Sequence, residues 1–141
     1  MNDDWKRSIF ATHIEPQTTA LGSWPGEKFP GVALPCREAL TKWIIVRYQD
    51  RCTCAQVYDV GPWTISDKSY VFGNERPLAE KMKGKPVDSD PGTEGVQLAT
   101  VQGVPIKQSN GAGIDLFPAV ARTLGLPVGE NVLVDWRWVE I

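Results

Sequence analysis

The chain has 141 residues, a formal net charge of −2 and an isoelectric point near 5.4. This length fits one domain, 1–141, whose core needs no metal or disulfide staple, and the near-neutral charge leaves no footprint for a phosphate backbone. No apolar stretch approaches membrane-spanning length, so no membrane insertion is expected, while 13 Gly, 11 Pro and six Trp point to a loop-rich β protein.

The opening "MNDDWKRSIF" has no basic start followed by an apolar run, so it does not read as a secretory signal. Residues 1–7 read as a flexible N-terminus. In "FATHIEP", nothing fixes the orientation of His13, which reads as an ordinary surface or satisfied histidine. Trp24, in the glycine- and proline-bounded "GSWPGEKFPG", fits a ring that stacks on a sugar face and equally fits a lid over one end of a barrel.

In "KWIIVRYQ", Ile44, Val46 and Tyr48 face one way and Trp43, Ile45 and Arg47 the other, so a strand buried on both sides is expected. "TCAQVYD" reads as its partner, and the intervening "QDR" makes 43–59 a hairpin. Cys52 and Cys54 are two apart and share a face in a strand, where a mutual bridge is strained. With Cys36 they read as small, partly buried thiols, although Cys36 pairing with one of them stays open. No histidine or cysteine set has zinc-site spacing, so neither a metal nor a cofactor is expected.

A weak helix is expected within "ERPLAEKMKG", followed by the polar loop "KPVDSDPGTEG" at 85–95. Asp88, Asp90 and Glu94 there evoke a calcium loop, but the glycine falls one place early and Pro91 restricts the backbone, so a solvated loop is the better reading. "IDLFPAVARTLG" carries Leu116, Val120 and Leu124 at helical spacing, Pro118 in the first turn and Gly125 at the C-terminal cap. In "NVLVDWRWVEI", Val132, Val134, Trp136 and Trp138 share one face of a closing strand.

Two carboxylates close apolar strand-like stretches: Asp59 in "VYDVGPW" and Asp115 in "GAGIDLFP". Two acids flanking one groove are the minimum for acid and base work on a glycosidic bond, and one acid suffices where the attacking hydroxyl belongs to the substrate. Trp63 and Pro62 beside Asp59 could desolvate it without an evident compensating donor, favouring the protonated acid. Both residues have plain alternatives. Asp115 could cap the following helix, whose N–H groups would favour its charged form, and Asp59 could close an Asx turn.

"GVALP" at 31–35, "VYDVGPW" at 57–63 and "GIDLFPAVARTLG" at 113–125, followed by "VLVDWRWV", resemble in order and spacing the rare lipoprotein A-like double-psi β-barrel domains. The resemblance covers the chain from about residue 8 onward. It implies a mainly β, six-stranded double-psi β-barrel with one or two short helices and a groove for a peptidoglycan strand. In the lytic transglycosylases of that family, the key acid of the Gly-Pro turn corresponds to Asp59. In the related expansins and family 45 endoglucanases, the key acid corresponds to Asp115. Tyr58, Trp63 and Trp24 are the candidate substrate-binding residues.

The chain departs from that pattern in two places. Gly31 stands where the transglycosylases carry a histidine, and the turn reads Asp-Val-Gly-Pro-Trp rather than Asp-Arg-Gly-Pro-Phe. Three functions follow as expectations: an Asp-dependent lytic transglycosylase or hydrolase, a glycan-binding or wall-loosening module without cleavage, and a structural or partner-binding barrel such as one in a phage particle. Without a recognised signal, cytosolic synthesis with delivery to the wall by phage or lysis is expected.

Overall fold

A computed structural model describes residues 4–15, 18–62, 66–83, 110–127 and 130–139. In chain order they form β1 (Lys6–His13), β2 (Thr18–Thr19), β3 (Gly22–Ser23), β4 (Gly31–Leu34), β5 (Trp43–Tyr48), β6 (Arg51–Val60), α1 (Lys68–Val71), α2 (Leu78–Lys81), β7 (Ile114–Leu116), α3 (Pro118–Leu124) and β8 (Val132–Trp138). A 3₁₀ turn lies at Arg37–Ala39. Six of the strands close into a barrel in the order β1-β7-β4-β6-β5-β8. β1 with β7 and β4 with β6 are parallel pairs; the remaining barrel neighbours are antiparallel.

The expected hairpin is present, Ile44 pairing with Ala55 and Tyr48 with Arg51. β6 is long because it serves two neighbours, β5 along its first half and β4 along its second. Period-two alternation sends Ile44, Val46, Ala55 and Val57 into the barrel, where they meet Ile9, Val32, Leu116, Val134 and Trp136. Each fully buried Val, Leu or Ile among these contributes about 1.5–3 kcal/mol relative to exposure. β8 is the closing strand expected from its pattern, since it pairs with both β1 and β5.

The outer face of β5 is more open than its apolar composition suggested. Trp43 is 39% exposed, because the described residues put no layer over that side of the barrel. Cys52 and Cys54 are exposed and free rather than partly buried, whereas Cys36 is buried and free. Its thiol donates to Glu38 at 3.0 Å, and burial, with that contact, pushes it up to about 11. β1 already begins at Lys6, inside the segment expected to be a flexible start; Lys6 pairs with Trp136, and Trp5 lies against the Arg47 guanidinium at 3.9 Å.

Helix α3 follows its sequence signals: Pro118 opens it and Gly125 ends it in the left-handed region at φ 71°. α2 is the short helix expected within 75–84. α1 starts on Asp67, whose carboxylate accepts the Tyr70 N–H at 3.4 Å and the Leu78 N–H at 2.8 Å, tying α1 to α2. The loop at 85–95, with Asp88, Asp90 and Glu94, lies outside the described residues.

Candidate functional site

The two aspartates singled out in the sequence come together through strand register. Ala33 of β4 pairs with Asp115 of β7 on one side and with Asp59 of β6 on the other. Thr12 of β1 pairs with Asp115 in turn, so Thr12, Asp115, Ala33 and Asp59 form a row across four strands. Residues level with one another across a sheet share a face. This face is the outer wall, because Val32 and Leu34 on either side of Ala33, and Ile114 and Leu116 on either side of Asp115, belong to the core.

A bulge is what brings Asp59 to that face. Strict alternation from the buried Val57 would turn Asp59 inward. Instead Val32 pairs with Val57 and the next residue, Ala33, pairs with Asp59, leaving Tyr58 as the extra residue. Two residues of β6 thus oppose one of β4, and Asp59 is redirected outward. Tyr58 packs edge-on against Phe29, ring centroids 4.8 Å apart.

Asp59 does not lack donors. Its Oδ1 accepts the Val60 N–H at 2.9 Å, within the turn, and the Ala20 N–H at 2.9 Å from the tip of the β2–β3 hairpin. The expectation of an aspartate desolvated without compensation is therefore corrected: a hairpin more than thirty residues upstream in sequence supplies an amide. Both N–H bonds fall on Oδ1, so the contacts that hold this carboxylate are made through one of its two oxygens.

Asp115 is not the helix cap. The α3 N-cap is Phe117, with no side-chain capping bond, and Asp115 lies within β7 instead. Its carboxylate is 9% exposed, and Oδ1 accepts the Thr12 hydroxyl. Its Oδ2 faces the glycine of the Gly-Pro turn, 4.0 Å from where a Cβ on Gly61 would stand. Thus the two acid motifs meet: the turn following Asp59 lies beside the carboxylate of Asp115.

Gly31, at the position where the resembling transglycosylases carry a histidine, is buried. A Cβ there would sit 2.4 Å from a ring carbon of Phe117. The Phe117 ring takes the space that a side chain at 31 would need, so no histidine fits there. Sequence reasoning noticed Gly31 but not its neighbour. The signal was the Phe within "IDLFP", which reads locally as only a helix entry.

The remaining candidates lie differently. Trp63 lies outside the described residues. Trp24 is half-buried, its indole N–H enclosed without an acceptor among the described residues. His13, expected to be a surface or a satisfied histidine, is half-buried: its Nε2 is enclosed without a partner among the described residues, and burial lowers its pKa. It lines a cleft of about 400 Å³ with Glu15 and Arg122, whose walls include neither aspartate. A larger cleft, about 580 Å³, lies toward the start of β1 and includes neither aspartate. The aspartate row, not either cleft, is where the two acid-bearing motifs of the sequence meet. Among the described residues no cluster of three His, Cys, Asp or Glu side chains is arranged to hold a metal.

Fold and site together define a small closed β-barrel with a carboxylate pair on its outer wall. The chain belongs to the family described as Domain of unknown function (DUF8814), whose model matches residues 5–136. Comparison with curated proteins gives no match.

Proposed function

We propose that this chain is a double-psi β-barrel protein that engages peptidoglycan or a related β-linked glycan at the partly exposed turn running from Asp59 to Pro62 and cleaves it with Asp59 and Asp115. The observation that carries the reading is the register of Ala33, flanked by the two acids. The double-psi assignment draws support from the two parallel pairs set among antiparallel ones in the closed sheet.

Two strand spacings separate the backbones of the acids by about 10 Å, which suits carboxyl groups about 6.5–9.5 Å apart, the gap that leaves room for an attacking hydroxyl. Asp59 gives its proton to the glycosidic oxygen as the bond to the anomeric carbon breaks. Asp115 takes the proton of the attacking hydroxyl. Water as attacker leaves a reducing end, and the sugar's own hydroxyl leaves an anhydro end.

The test is incubation of the pure protein with peptidoglycan sacculi and mass spectrometry of the released fragments. Asp59→Asn keeps the Oδ1 contacts and removes the donor, so release falls by roughly a hundredfold or more. Release equal to that of the parent rejects the role. One observation favours a second reading: the Phe117 ring against Gly31 removes the place where the resembling transglycosylases carry a histidine, as in a module that binds glycan without cutting it. Retention on sacculi with no fragments from either protein selects that reading.

A further inference from the structure

At the other end of β1, about 20 Å along the strand from Thr12, the surface carries a second set of aromatic rings. Phe72 and Trp138 stack face to face, centroids 5.1 Å apart and planes 9° from parallel. Phe72 is 46% exposed. Trp138 is held firmly: its indole N–H donates to Val71 O at 3.1 Å, and its ring meets Trp136 edge-on at 5.3 Å. Trp136 meets Tyr70 in the same manner inside the barrel. The exposed ring is therefore the last member of a ladder rooted in the core, a platform whose orientation is fixed before anything binds.

This pair walls two clefts, one of about 580 Å³ reaching Trp5 and Lys6, the other of about 510 Å³ reaching Trp43. Each has the size of a small-molecule site, about 300–1,000 Å³. A polar anchor sits in the larger cleft. Lys6 Nζ donates to Gly73 O at 2.7 Å, its one hydrogen-bond acceptor among the described residues, and lies over the Tyr70 and Trp136 rings at 5.8 and 5.3 Å. An ammonium has three donors, so hydrogen-bonding capacity remains. Burial pushes the Lys6 pKa below its ordinary value, the charge of Asp67 opposing this.

The charges of the cleft decide among occupants. Arg76 is spent on Glu80 and on the carbonyl oxygens of Arg7 and Ser8. Asp4 and Glu75 share the rim with Lys6 and Arg7. This balance lacks the cationic excess that a polyanion needs. It offers both donors and acceptors around flat apolar walls, which matches a sugar, whose hydroxyls do both and whose ring faces stack on aromatics.

We propose that the groove from Trp5 and Lys6 across Phe72 and Trp138 to Trp43 is a second glycan-binding site, taking uncharged pyranose rings of a β-linked chain. It rests on the glycan reading above for its ligand class and needs neither aspartate. A protein with both sites grips one polymer at two separated places, so retention on a long strand exceeds that on a short one.

The experiment is titration of the full chain with tetra-N-acetylchitotetraose, followed through the indole N–H resonances. Shifts at Trp43 and Trp138 are expected in the parent and in Asp59→Asn alike. Phe72→Ala and Trp43→Ala should each weaken the affinity about five- to tenfold, the range of a lost aromatic contact. Lys6→Met tests the anchor in the same way. Circular dichroism of each variant identifies any that fails to fold, and the parent spectrum tests the site without a variant.

Unmoved Trp43 and Trp138 resonances overturn the proposal. So does a concentration-dependent dimer that Phe72→Ala dissolves, which gives the platform to a second copy. Failure of the two readings is distinguishable. Fragment release lost in Asp59→Asn but untouched in Phe72→Ala, with no shift at the platform, removes this site and keeps the cleavage. Shifts at the platform without any fragment release keep this site and remove the cleavage.

Discussion

The Trp136 indole N–H donates to the Tyr70 hydroxyl at 2.7 Å, and that hydroxyl donates to Gly113 O at 2.9 Å. Both side chains are buried, so a barrel strand, α1 and the approach to β7 are joined by polar groups with no access to water. Tyr70→Phe removes the shared oxygen and strands one donor and one acceptor. It should cost about 1–3 kcal/mol, read as a lower urea midpoint at unchanged slope.

Gly31 and Phe117 form a tight pair on the outer wall, with no room for a Cβ. Gly31→Ala should destabilise by about 1–3 kcal/mol through overpacking, and Gly31→His by more. Combining Gly31→Ala with Phe117→Ala should give less than the sum of the single losses, because the second change removes the ring that the first strikes. Strict additivity in equilibrium unfolding would contradict the contact.

The three thiols should divide by exposure. Cys52 and Cys54 are exposed, while Cys36 is buried and bonded to Glu38. With its thiol raised to about 11, Cys36 is almost wholly protonated at pH 8 and out of reach of reagent. Iodoacetamide at that pH should label two cysteines in the folded protein, and the third only in denaturant; peptide mass mapping checks which.

Asp67 gives a pH signature. Burial, the largest cause, raises its pKa, opposed by the N–H groups of Leu78 and Tyr70 and the charges of Lys81 and Lys6. A folded value above the unfolded one means that its stabilising contribution is complete below the unfolded value, about 3.9, and is lost as pH rises through the folded value. Asp67→Asn abolishes that titration. The stability of the variant relative to the parent should therefore climb from about pH 3 upward and then level, in urea midpoints measured across that range. A pH-independent difference would show that Asp67 does not titrate with folding.

Local pattern by itself determined the β5–β6 hairpin, the closing strand β8 and helix α3 with its Gly125 cap. Each follows from side-chain period and from residues that start or stop an element, which act over a few positions. It also singled out Asp59 and Asp115, because a carboxylate closing an apolar run is visible in sequence. Only the tertiary structure decided what surrounds them. The bulge at Tyr58 that turns Asp59 outward is a register between β6 and β4, in which Val32 pairs with Val57 and Ala33 with Asp59. The Ala20 amide on Asp59, the Thr12 hydroxyl on Asp115 and the Phe117 ring over Gly31 all come from residues distant in sequence or read locally as something else. Barrel closure brings these groups together, and periodicity along one strand carries no information about which residue of another strand will stand beside it.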